Sequence, residues 1–70
     1  MELEAGDQVA GFVVLVDADG CRHAVRAGGV VGLHDRDPCS DETVVALTGG
    51  RQLVLAVPLD RVIGWLGPRR

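Results

Sequence analysis

The sequence predicts a mainly β fold of the α+β class: five antiparallel strands, arranged as one sheet or a small half-open barrel, with a single C-terminal helix. Three observations predict it. Aliphatic and β-branched runs of strand length recur along the chain, and glycine-bearing turns separate them in pairs. Only one segment, residues 58–66, carries apolar residues at helical spacing. The chain also repeats itself: at an offset of 32, residues 12–33 align with 44–65 without a gap. Six of the 22 aligned positions are identical, namely Val13/Val45, Leu15/Leu47, Ala24/Ala56, Val25/Val57, Val30/Val62 and Gly32/Gly64. Self-similarity of this kind marks a duplicated supersecondary unit, here strand, turn, strand and a further apolar segment.

The 70 residues make one domain. Residues 1–8 read as a flexible acidic arm, 9–66 as the β-rich domain and 67–70 as a tail. In the first unit, strands near 9–16 and 21–26 flank Asp17-Ala18-Asp19-Gly20, where Gly20 suits a left-handed turn position. Pairing Val16 with Cys21 places Phe12, Val14, Cys21, His23 and Val25 on one face. Gly28, Gly29 and Gly32 disfavour helix beyond this hairpin, so residues 27–29 read as a turn and 30–34 as a short strand. A polar connector, residues 35–42, leads to the second unit. There, strands near 43–48 and 51–57 flank Gly49 and Gly50, a pair suited to a two-residue type I′ turn. Pairing Thr48 with Arg51 sets Val44, Ala46, Leu53, Leu55 and Val57 on one face and Val45, Leu47, Val54 and Ala56 on the other. Pro58 opens the helix at its first turn. Leu59, Val62, Ile63 and Leu66 form its apolar stripe, and Gly67 and Pro68 stop it.

Charge and composition exclude several roles. The net charge is −3, all seven basic residues are arginine, and Phe12 and Trp65 are the aromatic residues. Nucleic-acid binders carry basic tracks with aromatics for stacking, so a nucleic-acid-binding barrel of the Sm or SH3 type ranks third among the functional readings. No apolar run approaches the roughly 18 residues of a membrane span. Residues 1–8 lack the basic start and apolar stretch of a signal peptide, which predicts a cytoplasmic chain with reduced cysteines.

The chemistry-bearing residues are few. Cys21, His23, His34 and Cys39 supply the two-Cys, two-His ligand set of structural zinc. Their spacing matches no familiar zinc pattern, and a metal-binding sensor or structural zinc domain stands as the alternative reading. Asp35-x-Asp37 followed by Asp41-Glu42 lacks the central Gly and terminal Glu of a calcium loop. Cys39 with His34 and Asp35 offers a nucleophile, base and acid in name only, along one loop. The expectation is therefore no catalytic residues, no enzyme activity and no cofactor.

Both hairpins carry aliphatics on both faces, the pattern of a sheet covered on two sides. One short helix covers part of one face. This predicts a homo-oligomer, most simply a twofold dimer, whose interface uses Val13, Leu15, Val45, Leu47 and Val54.

Written out, residues 43–66 (TVVALTGGRQLVLAVPLDRVIGWL) resemble the small flagellar-operon proteins of the FlbD type. The match rests on Thr43, Val45, Leu47, Gly50, Arg51, Leu53, Val54, Val62, Ile63 and Leu66, with Leu15, Gly20, Val30 and Val31 fitting more loosely. The family's Asn-Pro after the second strand is replaced here by Ala27-Gly28, and the connector is longer. The resemblance implies an accessory or regulatory role in motility and brings no catalytic residues. The leading expectation is a non-enzymatic module for protein–protein interaction or regulation, with an unidentified protein partner.

Overall fold

The computed structural model describes residues 2–67. It contains two three-stranded antiparallel sheets and one C-terminal helix. The first sheet comprises β1 (Gln8–Val9), β2 (Phe12–Val16) and β3 (Arg22–Arg26), in that order. A 3₁₀ turn, Ala27–Gly29, leads into the second, built from β4 (Val30–Asp35), β5 (Thr43–Leu47) and β6 (Gln52–Leu55). Helix α1 spans Leu59–Leu66. The single five-stranded sheet expected from sequence is thus split in two, and the barrel is not closed. Backbone contacts join the sheets at the corner where β2 ends: Asp17 bridges Leu55, and the Ala18 amide donates to the Val54 carbonyl at 2.8 Å. At the last residue of the 3₁₀ turn, the Thr48 amide donates to the Gly29 carbonyl at 2.9 Å.

The extra strand arises because residues 9–16 do not run straight. Val9 pairs with Phe12 across a two-residue turn at Ala10 and Gly11, whose φ angles are +54° and +83°. Two consecutive positive φ angles give the twist that antiparallel hairpins favour. The segment expected as a flexible arm is tied to this sheet. Gly6 donates to the Val14 carbonyl at 2.8 Å, and Val14 donates back to the Asp7 carbonyl at 2.9 Å. The Gln8 side-chain amide donates to the Trp65 carbonyl at 2.7 Å. Met1 of the expected arm, and residues 68–70 of the expected tail, lie outside the described residues.

Each main hairpin is one residue out of the expected register. Leu15 pairs with His23, and thirty residues later Val45 pairs with Leu53. The loops are therefore three residues long, closed by Asp17 donating to the Cys21 carbonyl at 2.9 Å and by Leu47 donating to the Arg51 carbonyl at 2.8 Å. Strand side chains alternate, so a one-residue slip exchanges the two faces. In the first hairpin, the Asp17 carboxylate accepts the amides of Asp19 and Cys21, both at 2.9 Å, which draws Asp17 into the ladder opposite Cys21. In the second, Gly49 and Gly50 both take positive φ, which leaves Thr48 to complete the loop. The hairpins correspond at an offset of thirty rather than 32, because that offset superposes the turns.

The core follows from this register. Val13, Leu15, Val45, Leu53, Leu55 and Val62 form one buried cluster, ringed by Val25, Val30, Leu33, Leu47, Val57, Trp65 and Leu66. Burial of such side chains stabilises by roughly 1.5–3 kcal/mol each. Thr43 is the one buried polar residue among those described, and its hydroxyl donates to the Val57 carbonyl at 2.8 Å, pinning the chain between β6 and the helix. Pro58 stands at the helix N-cap, one position before the first helical residue. Val62 is fully buried, Trp65 and Leu66 pack on the cluster, and Ile63 is 53% exposed. The helix is therefore rotated relative to the expected stripe, with Trp65 inward in place of Ile63. No helix among the described residues is long and apolar enough to cross a membrane.

Candidate functional site

The residues singled out for self-association lie mostly inside the fold. Val13, Leu15 and Val45 belong to the buried cluster, so they cannot face a second copy of a folded chain. The physical reason is the two-sheet arrangement: each hairpin covers the apolar face of the other, which a single sheet would leave open. Leu47 packs at the margin of the cluster, and Val54 lies on the opposite face of β6, paired with Val44.

The four candidate zinc ligands are dispersed. Cys21 is exposed at the first turn, and His34 is exposed on β4 opposite Val44. Cys39 is exposed in the connector, where its amide donates to Asp37 Oδ1 at 2.9 Å. His23 projects from β3 and its Nε2 meets Asp17 Oδ2 at 2.7 Å. Among the described residues no group of three or more His, Cys, Asp or Glu side chains is placed to hold a metal ion. The connector is instead an ordered polar turn. Asp37 accepts the amides of Cys39 and Ser40, which hold its carboxyl below the ordinary value, and Arg36 pairs with Glu42 at 2.7 Å, which raises the guanidinium's pKa.

A different site forms where the ends of the two hairpins come together. An open groove of about 650 Å³ is lined by Val25 and Arg26 at the end of β3 and by Ala27, Gly28 and Gly29 of the 3₁₀ turn. Leu47, Thr48 and Arg51 around the second hairpin loop form the rest of the wall, with Gly11 beside them. This volume falls within the usual range for ligand pockets. The local sequence explains the shape. Glycines at 28 and 29 leave bare backbone where side chains would fill the space: a β-carbon at Gly28 would meet no atom within 4 Å.

The groove has one sign of charge. Its charged residues are Arg26 and Arg51, and neither pairs with a carboxylate among the described residues. Arg26 is held in place. Its guanidinium carbon lies 4.6 Å from the centroid of the Phe12 ring, a cation–π contact. A β-carbon at Gly11 would stand 3.0 Å from Arg26 Nη1, so glycine there makes room for the guanidinium. A guanidinium seated over an aromatic ring keeps N–H groups with which to donate. Val25 and Leu47 add aliphatic surface, and Thr48 adds a hydroxyl.

Sequence reasoning missed this site because Arg26 and Arg51 stand far apart along the chain, one in each hairpin unit. A signal was present: Arg26 stands just before one double glycine, Gly28 and Gly29, and Arg51 directly follows another, Gly49 and Gly50. Compared with known family models, curated proteins and solved structures, the chain finds no match.

Proposed function

We propose that this chain is a non-enzymatic interaction module that binds a segment of a partner protein in the groove between the hairpin ends. The observation that carries the reading is the groove itself: two arginines, one of them clamped over Phe12, stand beside aliphatic walls and exposed glycine backbone. Guanidinium, hydroxyl and backbone groups recognise and orient a ligand. They lack the paired nucleophile and base that covalent catalysis needs. The resemblance to FlbD-type proteins offers a setting, an accessory role in motility, which a gene deletion and a swimming assay would test.

The test of the reading is a displayed library of random peptides, screened against the folded chain and against a variant with the groove blocked by Thr48→Trp. Peptides that bind the first and not the second support it. A library that yields no binder, or only binders indifferent to the block, overturns it.

A further inference from the structure

The structure assigns a ligand class to this groove, an inference that rests on the interaction-module reading. We propose that it takes a short acidic peptide segment, with a carboxylate on the N–H edge of Arg26 and an aliphatic side chain against Val25 and Leu47. Charge complementarity argues for this occupant. The chain as a whole carries −3, yet the residues around the groove include two arginines and no acid. The acids gather elsewhere: Asp35, Asp37, Asp41 and Asp60 line one separate cleft between the connector and the start of α1. A nucleic acid or an anionic lipid surface would meet the net negative charge over a wide area, and long-range repulsion would oppose it. A short peptide places its carboxylate in the local positive field and leaves the rest of the molecule untouched.

The shape argues likewise. The Arg26 guanidinium sits over the Phe12 ring, and its planar fork matches the two oxygens of a carboxylate in a bidentate bond. The ring contact limits the side-chain freedom that binding must remove. Gly28 and Gly29 let a peptide backbone approach the groove wall closely. Val25 and Leu47 are partly buried against the core and present aliphatic surface for one apolar residue of the ligand. Together these features select for a carboxylate next to an aliphatic side chain.

The experiment measures fluorescence anisotropy with three labelled probes: a hexapeptide alternating Glu and Leu, its Gln and Leu counterpart, and a six-nucleotide oligo-uridine RNA. Each is titrated with the wild-type chain and with Arg51→Glu, an exposed position whose substitution leaves the core intact. Arg26→Lys keeps the charge and removes the fork. The expected result is that the Glu peptide binds at least about tenfold more tightly than the Gln peptide, as suits a charge-assisted pair. Its binding weakens by a similar factor in Arg51→Glu and in Arg26→Lys, and falls with added salt. Equal binding of the Glu and Gln peptides overturns the acidic class while leaving the interaction module standing. Tighter binding of the RNA overturns the class in favour of nucleic acid. Failure of both peptides to bind overturns the acidic class, and a random-peptide library that also finds no binder overturns the module with it.

Discussion

Gly6 lies flat against the indole of Trp65, so closely that a β-carbon at position 6 would stand 2.5 Å from Nε1 and 2.7 Å from Cδ1. The contact ties the start of the chain to the end of the helix. Gly6 also holds φ at +90°, a backbone conformation in which an L side chain is strained. Its amide reaches the Val14 carbonyl from that conformation. The last turn of α1, the first strand pair and the segment before it are therefore one packed unit.

Gly6→Ala consequently destabilises the fold by more than about 1 kcal/mol, the left-handed penalty plus the cost of moving the indole. Trp65 is the single tryptophan, so its fluorescence reports both the local change and global unfolding in urea. The expected outcome is a lower urea midpoint and an altered native emission maximum. A variant with wild-type midpoint and emission would mean that residue 6 does not pack on the ring.

Element positions were legible in the chain because aliphatic runs, turn glycines and helical spacing are local signals. Register was not. Val13 and Val14 are both apolar, as are Val44 and Val45, so the pattern reads equally well from either face. The choice is made by hydrogen bonds that periodicity does not count, chiefly the Asp17 carboxylate on the amides of Asp19 and Cys21. The first strand was over-extended for a similar reason, since Ala10 and Gly11 turn the chain inside what looks like one run. The candidate groove was hidden by distance: Arg26 and Arg51 become neighbours of one cavity only when two hairpins meet. The helix face turned because Trp65 offers more apolar area to the core than Ile63 does.

That rotation and register are open to substitution. Leu55→Ala removes a fully buried side chain from between sheet and helix, and costs about 2–5 kcal/mol. Ile63→Ala, on the exposed side of α1, changes stability by less than about 0.5 kcal/mol. Val45→Asp places a charge in the core and prevents folding, whereas Val54→Asp, on the other face of its hairpin, leaves a folded chain. Urea titrations of the four variants check the pattern. If Ile63→Ala proved as damaging as Leu55→Ala, or if Val54→Asp failed to fold while Val45→Asp folded, the described faces would be reversed.

The corner at Asp17 predicts how stability responds to acid. One carboxylate oxygen meets His23 Nε2 at 2.7 Å, and the other accepts the amides of Cys21 and Asp19. The imidazole contact first, and the Cys21 amide next, hold the Asp17 carboxyl below its ordinary value. A carboxyl whose pKa is lower in the folded state binds its proton more readily when unfolded, so it adds stability wherever it is ionised. That contribution is fully present above the unfolded value, about 3.9. It is lost as pH falls through the lower folded value. Asp17→Asn retains an oxygen for the amides and loses the charge, so its melting temperature lies below that of the wild type at pH 6. The gap narrows as pH drops below about 4, where Asp17 of the unfolded wild-type chain begins to take up its proton, and goes on narrowing until the folded carboxyl does so at its lower value. Because the pair is partly open to solvent, added salt shrinks the gap at pH 6 as well. Thermal unfolding by circular dichroism from pH 6 to pH 2 measures it, and a gap that stayed constant across that range would show that the ionised Asp17 carboxylate does not hold this corner.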